Sequence, residues 1–210
     1  DCSLKHFPHM PEHCIYWSLT HLNSFITDHP CASIEECIKD AQIFFISKFY
    51  MRILNLLHFY PKDFTQDGIR FWMGHRICPT PIDFDPNNRM HVQLIKSIAL
   101  ILAQSNGIEI PPNLDELCLN WMVSKEWHPP PDSIRKAAET ENLPINKKDT
   151  SLFDPDNSLH LDFVEAASNI RSSNYNLGPI TRLGIIEAAN EGEPTVSSVT
   201  TMCGGACVAE

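Results

Sequence analysis

Eight cysteines are spread through this 210-residue chain, and Cys2 stands in a setting that could make it reactive. It precedes Ser3-Leu4-Lys5-His6-Phe7-Pro8-His9, a stretch with one lysine and two histidines placed ahead of a helix N-terminus. Nearby positive charge and the positive end of a helix dipole lower a thiol pKa from about 8.5 and raise the thiolate fraction at neutral pH. The chemistry such a thiolate performs is nucleophilic attack on an activated acyl group. The other cysteines, at positions 14, 31, 37, 78, 118, 203 and 207, read as small hydrophobes.

Other chemistries fit less well. His9-Met10-Pro11-Glu12-His13 has the H-x-x-E-H pattern of a zinc site, which needs both histidines one turn apart on a helix. Pro11 belongs in a first helical turn, which leaves His9 outside the helix. Cys203 and Cys207 stand four apart with no partners placed to complete a ligand set, so no residue is assigned to a metal. There is no G-x-G-x-x-G and no G-x-x-x-x-G-K-[ST] among the eight glycines, and hence no ATP cradle. Asp85, Asp154 and Asp156 fall where helices begin, and capping accounts for them.

The elements that must position these residues read as mostly α. Pro11-Glu12 opens a helix with Ile15, Leu19, Leu22 and Ile26 on one stripe, ending near Asp28 to Pro30. Ser33-Ile34-Glu35-Glu36 is a capping box for a second helix, with Ile34, Ile38, Ala41, Phe45 and Phe49 in period, running to Pro61. Asp67-Gly68 and Met73-Gly74 mark turns, and residues 79–86 form a proline-punctuated connection. Asn113 starts a helix carrying Leu117, Trp121 and Met122, Asp132 caps a short helix through Glu139, and 140–152 is a polar loop. Arg182 to Ala189 forms one more short helix, and no strand alternation is convincing.

Two segments echo each other. Residues 84–108 overlie 153–177 at one offset of 69, without a gap, with identities at Phe84/Phe153, Asp85/Asp154, Pro86/Pro155, Asn88/Asn157, His91/His160 and Ile101/Ile170. The shared content is a helix start: an aromatic anchor, a proline that stiffens the approach, and an asparagine able to cap. Two readings stand side by side, a repeated unit and two ordinary capped helices.

Composition narrows the function classes. Hydrophobic residues are 43% and charged residues 20%, usage that folds and is not fibrous or disordered. The net charge of −10 repels phosphate backbones and anionic lipid, which argues against nucleic acid and suits a basic protein partner. No stretch approaches the roughly 18 to 20 uncharged apolar residues of a membrane span. Scattered cysteines without paired ribs predict a reduced, cytoplasmic and nuclear setting. The start at Asp1-Cys2 and the small-residue close predict a piece of a longer chain.

Several blocks together are similar to ubiquitin-activating enzymes. Cys2-Ser3-Leu4-Lys5-His6-Phe7-Pro8 leading to Glu12-His13 and Trp17 resembles the segment around that family's catalytic cysteine, with Ser3 where threonine is usual. Leu56-Leu57-His58-Phe59-Tyr60-Pro61, Phe71-Trp72-Met73-Gly74, Arg76, Cys78-Pro79 and Phe84-Asp85 follow in the family's order. His160-Leu161-Asp162-Phe163, Ala166-Ala167-Ser168-Asn169 and Asn174-Tyr175 resemble its later helix. Asp154-Pro155-Asp156 replaces a longer acidic run, and Glu187 to Glu193 replaces basic residues.

The resemblance implies the second catalytic cysteine domain, residues 1–178, inserted in an α/β adenylation domain toward which 179–210 return. It implies that Cys2 accepts ubiquitin from an acyl-adenylate as a thioester and passes it to a conjugating enzyme. ATP and Mg²⁺ are then expected in the adenylation domain, outside this chain. The rival expectations are a helical interaction module with an idle Cys2, docking a conjugating enzyme, and an activating enzyme for a related ubiquitin-like modifier. A zinc-bound module using His9, His13 and cysteines comes third.

Overall fold

The computed structural model describes residues 7–27, 29–135, 138 and 152–191. Pro11 opens α1 (Pro11–Thr27), where its missing N–H removes a donor that would have no helical partner, and Glu12 meets the positive end of the dipole. Ile15, Leu19 and Leu22 are buried, with Phe25 completing the stripe in place of the expected Ile26. Ser33 caps α2 (Ile34–Phe45) by accepting the Glu36 N–H at 3.3 Å. The Glu36 carboxylate reaches back to the Ala32 N–H at 2.8 Å, one residue beyond the partner a capping box uses.

The expected run to Pro61 is not one uniform helix. A π segment (Ile46–Met51) joins α2 to α3 (Arg52–Phe59). Its wider turn lets the apolar stripe stay on the core side, and Ile34, Ile38, Ala41, Phe45 and Phe49 are all buried. The Phe49 carbonyl takes two donors from outside its helix, the Ile82 N–H at 2.9 Å and Asn174 Nδ2 at 3.0 Å. Asn174 Nδ2 also donates to the Thr80 carbonyl at 2.7 Å, while the Asn174 carbonyl accepts the Thr80 N–H at 2.7 Å. The π segment, the proline-punctuated connection and a distant helix end are thereby joined through one buried side chain.

The sequence echo is a structural repeat. α4 (Arg89–Asn106) and α6 (Ser158–Asn174) begin with the same hydrogen bonds. Asn88 Oδ1 accepts the Met90 N–H at 3.0 Å, and Asn157 Oδ1 accepts the Leu159 N–H at 3.0 Å. Asp85 Oδ1 accepts the Asn87 N–H and Asp154 Oδ1 accepts the Asp156 N–H, each at 2.9 Å. The shared histidine closes each loop: the Asp85 N–H donates to His91 Nδ1 at 3.0 Å, and the Asp154 N–H to His160 Nδ1 at 3.2 Å. Asp85, Asp154, Asn88 and Asn157 therefore serve the helix starts, as expected, while Asp156 contributes its backbone N–H.

α4 packs against α2 and α6, and α6 packs against α1. Leu94, Ile95, Ile98 and Leu102 are fully buried in α4, as are Phe163 and Val164 in α6, each worth roughly 1.5–3 kcal/mol against exposure. Equivalent positions of the two copies meet where Gln93 Nε2 donates to the Asp162 carbonyl at 2.9 Å. α7 (Arg182–Glu191), expected as 182–189, joins the same core through Ile185 and Ala188. Asn169 fixes its approach by donating to the Ile180 carbonyl and accepting the Ile180 N–H, both at 2.9 Å. The described α-helical elements make the chain mostly α, and no helix among the described residues is long and apolar enough to cross a membrane.

Three expectations change. α5 is only Leu114–Leu119, with no side-chain bond from Asn113, so Trp121 and Met122 lie beyond it. The cause is Gln42, fully buried on α2, which donates to the Asn120 carbonyl at 2.7 Å and accepts the Met122 N–H at 2.8 Å. That clamp holds an extended chain that a helix could not present. Asp132 begins a 3₁₀ turn (Asp132–Ile134) as its first residue, with Pro131 in the cap position, and 139–151 lie outside the described residues. A two-residue hairpin pairs β1 (Thr65–Gln66) with β2 (Ile69–Arg70), Thr65 opposite Arg70. Its turn needs positive φ at both central residues, supplied by Asp67 at 53° and Gly68 at 78°.

Asn174→Ala removes a donor from two carbonyls in a buried site, and each lost bond costs about 1–2 kcal/mol. A loss of about 2–4 kcal/mol in urea unfolding is expected, with Asn174→Asp at least as damaging because its carboxylate faces two carbonyl oxygens. Burial holds the His91 and His160 imidazoles below their usual pKa, with Asp85 and Asp154 opposing. A histidine whose folded pKa is lowered contributes stability above its unfolded value, near 6.5, and loses it as pH falls through the folded value. Replacing both by asparagine keeps an acceptor and removes the titration. The fall in stability between about pH 7 and pH 5 should become shallower, with His13, also lowered by burial and by His9, supplying part of what remains.

Candidate functional site

Four residues separate Cys2 from Phe7, where the described chain begins. Cys2, Lys5 and His6 lie outside the described residues, as do Cys203 and Cys207. What is described is the platform on which Phe7 is anchored. Phe7 is buried in a second hydrophobic cluster with Ile53, Leu56, Phe59, Tyr60, Phe71 and Tyr175, separate from the main helical core. Its ring meets Phe71 edge-on at 6.0 Å and Trp72 edge-on at 5.4 Å, arrangements that add about 0.5–1.5 kcal/mol each beyond their area.

The platform is built from segments far apart in sequence. Tyr60 and Phe71 stack at 4.2 Å, and Trp72 Nε1 donates to the Tyr60 carbonyl at 2.9 Å. The Phe71 N–H donates to the Phe64 carbonyl at 3.0 Å, which ties the hairpin base together. Arg76 lies over the Phe71 ring at 4.8 Å and Arg135 over Tyr60 at 5.1 Å, while Arg135 also donates to the Phe59 carbonyl. Leu56 to Pro61, Phe71 to Arg76 and Asn174-Tyr175, three blocks singled out from sequence, thus gather around Phe7.

Three imidazoles line the start of α1 beside this platform. His9 and His13 rings are 4.5 Å apart and His9 and His75 rings 4.6 Å apart. α1 begins at Pro11 and leaves His9 outside it, as expected, and the His9 N–H donates to His13 Nδ1 at 3.4 Å. That bond occupies one ring nitrogen of His13, which works against the zinc reading of H-x-x-E-H. Burial, then His9, holds the His13 pKa down.

The described thiols are held protonated. Burial pushes Cys14 up to about 12 even though the Arg171 charge pulls it down, so desolvation wins there. Burial also raises Cys118 to about 11, with Asp115 adding to it, and Cys31 to about 12, with Cys37 and Asp40 adding. Cys37 and Cys78 are raised by burial as well. None of these five is set up as a free thiolate. Asn87 and Asn88 are committed to the α4 start, Asn87 Nδ2 donating to Asp85 Oδ1 at 3.2 Å. Phe7 and His75 were not singled out for a role from sequence; a run of aromatics in Phe71-Trp72 opposite a lone Phe7 was the available signal.

Comparison with known proteins agrees with these blocks. A family model described as ubiquitin-activating enzyme, SCCH domain, matches residues 18–152 and 135–185. Ubiquitin-activating enzyme E1 1 of Schizosaccharomyces pombe is 26% identical over a 277-residue alignment covering 97% of this chain and 27% of that protein. Ubiquitin-like modifier-activating enzyme 1 of Mus musculus is 24% identical, covering 86% of this chain and 24% of its own length. Ubiquitin-like modifier-activating enzyme 7 of Homo sapiens is 27% identical, covering 75% of this chain and 18% of its own. The chain spans about a quarter or less of the length of these relatives.

The anchor is testable by itself. Phe7→Ala empties a buried aromatic site and should lower stability by about 3 kcal/mol, whereas Phe7→Leu should cost less than half of that. Trp72 fluorescence, which reports water reaching the indole, should shift to longer wavelength in the alanine variant and little in the leucine variant.

Proposed function

The chain belongs to the SCCH-domain family of ubiquitin-activating enzymes, and from that membership we propose that Cys2 is the nucleophile that carries the modifier as a thioester. The Cys2 thiolate attacks the carbonyl carbon at the modifier's C-terminus, activated as an acyl-adenylate. The C–S bond forms, the C–O bond to AMP breaks, and AMP leaves with that electron pair. The thioester keeps enough activation for a second transfer to the cysteine thiolate of a conjugating enzyme, which returns Cys2 to its free form.

The observation that carries this reading is the convergence of three family-like blocks on Phe7, the first anchored residue after Cys2. Five residues of extended chain span at most roughly 18 Å, so a platform that holds Phe7 also bounds where the thiol can act. Burial of the five described thiols supports the same choice, since each is held in its protonated form.

The nucleotide step is assigned elsewhere. The described glycines with positive φ sit at turns and at the end of α4, Gly107 being its left-handed cap. None leads into a helix N-terminus as a phosphate cradle does. Family membership, rather than any residue here, leads us to assign ATP and Mg²⁺ to an adenylation domain into which this domain is inserted. Residues 1–178 form the cysteine domain, residues 179–210 return toward the adenylation domain, and the protein works in cytoplasm and nucleus. Ubiquitin is favoured over its relatives as the modifier because the Phe71-Trp72-Met73-Gly74 and Leu56-Leu57-His58 blocks resemble the ubiquitin branch.

In the complete enzyme with ATP, Mg²⁺ and ubiquitin, an adduct sensitive to reductant should appear on non-reducing gels. Cys2→Ala should abolish it while leaving ATP–pyrophosphate exchange in place, and Cys78→Ser should leave both unchanged. Persistence of the adduct in Cys2→Ala overturns the assignment of the nucleophile. Equal charging with a related modifier in place of ubiquitin overturns the choice of substrate.

A further inference from the structure

The junction between α1 and α2 holds a side-chain cluster that thioester chemistry does not use. His29 Nε2 lies 3.0 Å from Asp40 Oδ2, and Cys31 Sγ lies 3.5 Å from the same oxygen. The three ligand atoms lie within 4.8 Å of one another, and all three residues are half-buried. His29 and Cys31 come from the connecting turn, and Asp40 comes from the second turn of α2.

The turn that presents the first two is pinned at both positions. Asn106, at the end of α4, donates Nδ2 to the His29 carbonyl at 2.9 Å and accepts the Cys31 N–H on Oδ1 at 3.2 Å. Its Nδ2 also donates to the Leu102 carbonyl at 2.9 Å, which fixes the amide to its own helix. The His29 ring rests against Phe25, with centroids 5.6 Å apart. Backbone and ring are thus placed by groups other than the Asp40 carboxylate, and preorganised ligands lose less entropy on taking an ion.

The donor set selects the ion. Imidazole nitrogen, thiolate sulfur and carboxylate oxygen together suit Zn²⁺, while Ca²⁺ and Mg²⁺ take oxygen ligands. With Zn–N and Zn–O near 2.0–2.1 Å and Zn–S near 2.3 Å, neighbouring ligand atoms of a tetrahedron stand about 3.3–3.6 Å apart. The Cys31–Asp40 separation of 3.5 Å falls on that scale, and the 3.0 Å His29–Asp40 contact is about 0.3 Å shorter, a gap that a small side-chain rotation opens. We propose that His29 Nε2, Cys31 Sγ and Asp40 Oδ2 form a Zn²⁺ site, with water in the fourth position. On binding, the Cys31 S–H bond gives way to an S–Zn bond and the proton leaves to solvent. The Cys37 thiol behind Cys31 is fully buried and stays protonated, outside the ligand set.

Cobalt(II) is the probe, because it takes zinc's geometry and absorbs visibly. The full chain, stripped with chelator and titrated with Co²⁺, should bind one ion with a thiolate-to-cobalt charge-transfer band and the intense d–d bands of tetrahedral cobalt, all lost on adding Zn²⁺. Cys31→Ser should remove the charge-transfer band. His29→Gln and Asp40→Asn should each weaken Co²⁺ binding by at least about tenfold, and Cys78→Ser should leave it unchanged. Circular dichroism on every variant verifies the helices, and the two conservative variants at half-buried positions keep the test decisive if Cys31→Ser were to unfold. Absence of the band in the unsubstituted chain, or its survival unchanged in Cys31→Ser, overturns the proposal.

Discussion

The architecture depends on how one carbonyl is satisfied. A π segment in the middle of a buried helical run gives the Phe49 carbonyl partners from outside its own ladder, Ile82 and Asn174. A carbonyl has two lone pairs, and leaving either unmet in a core costs about 1–3 kcal/mol. Asn174 is suited to this because an amide carries two donors on one nitrogen, one for Phe49 and one for Thr80. The same residue ends α6 and precedes Tyr175, which belongs to the second cluster. The main core and the Phe7 platform are therefore coupled across this residue pair, and the proline-punctuated connection is held between them.

The repeated helix start shows a different use of the same economy. In each copy the asparagine oxygen satisfies a backbone donor that the helix N-terminus leaves open, and an aspartate oxygen and a histidine nitrogen satisfy donors of the loop that leads into it. The histidines must be neutral to accept through Nδ1, and burial keeps them so. This distinguishes a repeated unit from two ordinary caps: ordinary capping requires the asparagine, but not a histidine three residues later bonded back to the aspartate. The paired helices then pack against each other with equivalent positions in contact.

Much of this was readable because it is local. Proline at α1, Ser33 at α2 and the asparagines at α4 and α6 act within a few residues, so their types and spacing carry the information. The departures are all tertiary. α5 stops early because Gln42, 78 residues before Asn120, captures the chain that leaves it. The π segment follows from partners near positions 80 and 174, and nothing within 46–51 announces it. The small hairpin is too short for alternation to show, although its Asp67-Gly68 turn was visible. For the candidate site, the blocks were legible as blocks, but their meeting around Phe7 was not. His29, Cys31 and Asp40 form no recognisable ligand spacing, and they meet only because Pro30 breaks the helix and α2 turns Asp40 back toward the junction.

The distribution of thiols follows from one electrostatic rule. A thiolate loses hydration when buried, so a cysteine that contributes to a core gives up ionisation in the same step. Cys14 illustrates the balance: the Arg171 charge favours the thiolate, desolvation opposes it, and the thiol still stands near 12. A carrier of acyl groups needs the opposite, a thiolate that forms readily and that two partners can reach in turn. The proposed carrier, Cys2, lies five positions before Phe7, which is buried in the second cluster. Cys31 occupies the intermediate case, half-buried and protonated, where charge can appear only if a cation takes the proton's place. Depth alone does not set the cost: half-buried Cys31 stands as high as fully buried Cys14 because Cys37 and Asp40 add to its desolvation, and a cation at that cluster would reverse the sign of what its neighbours contribute.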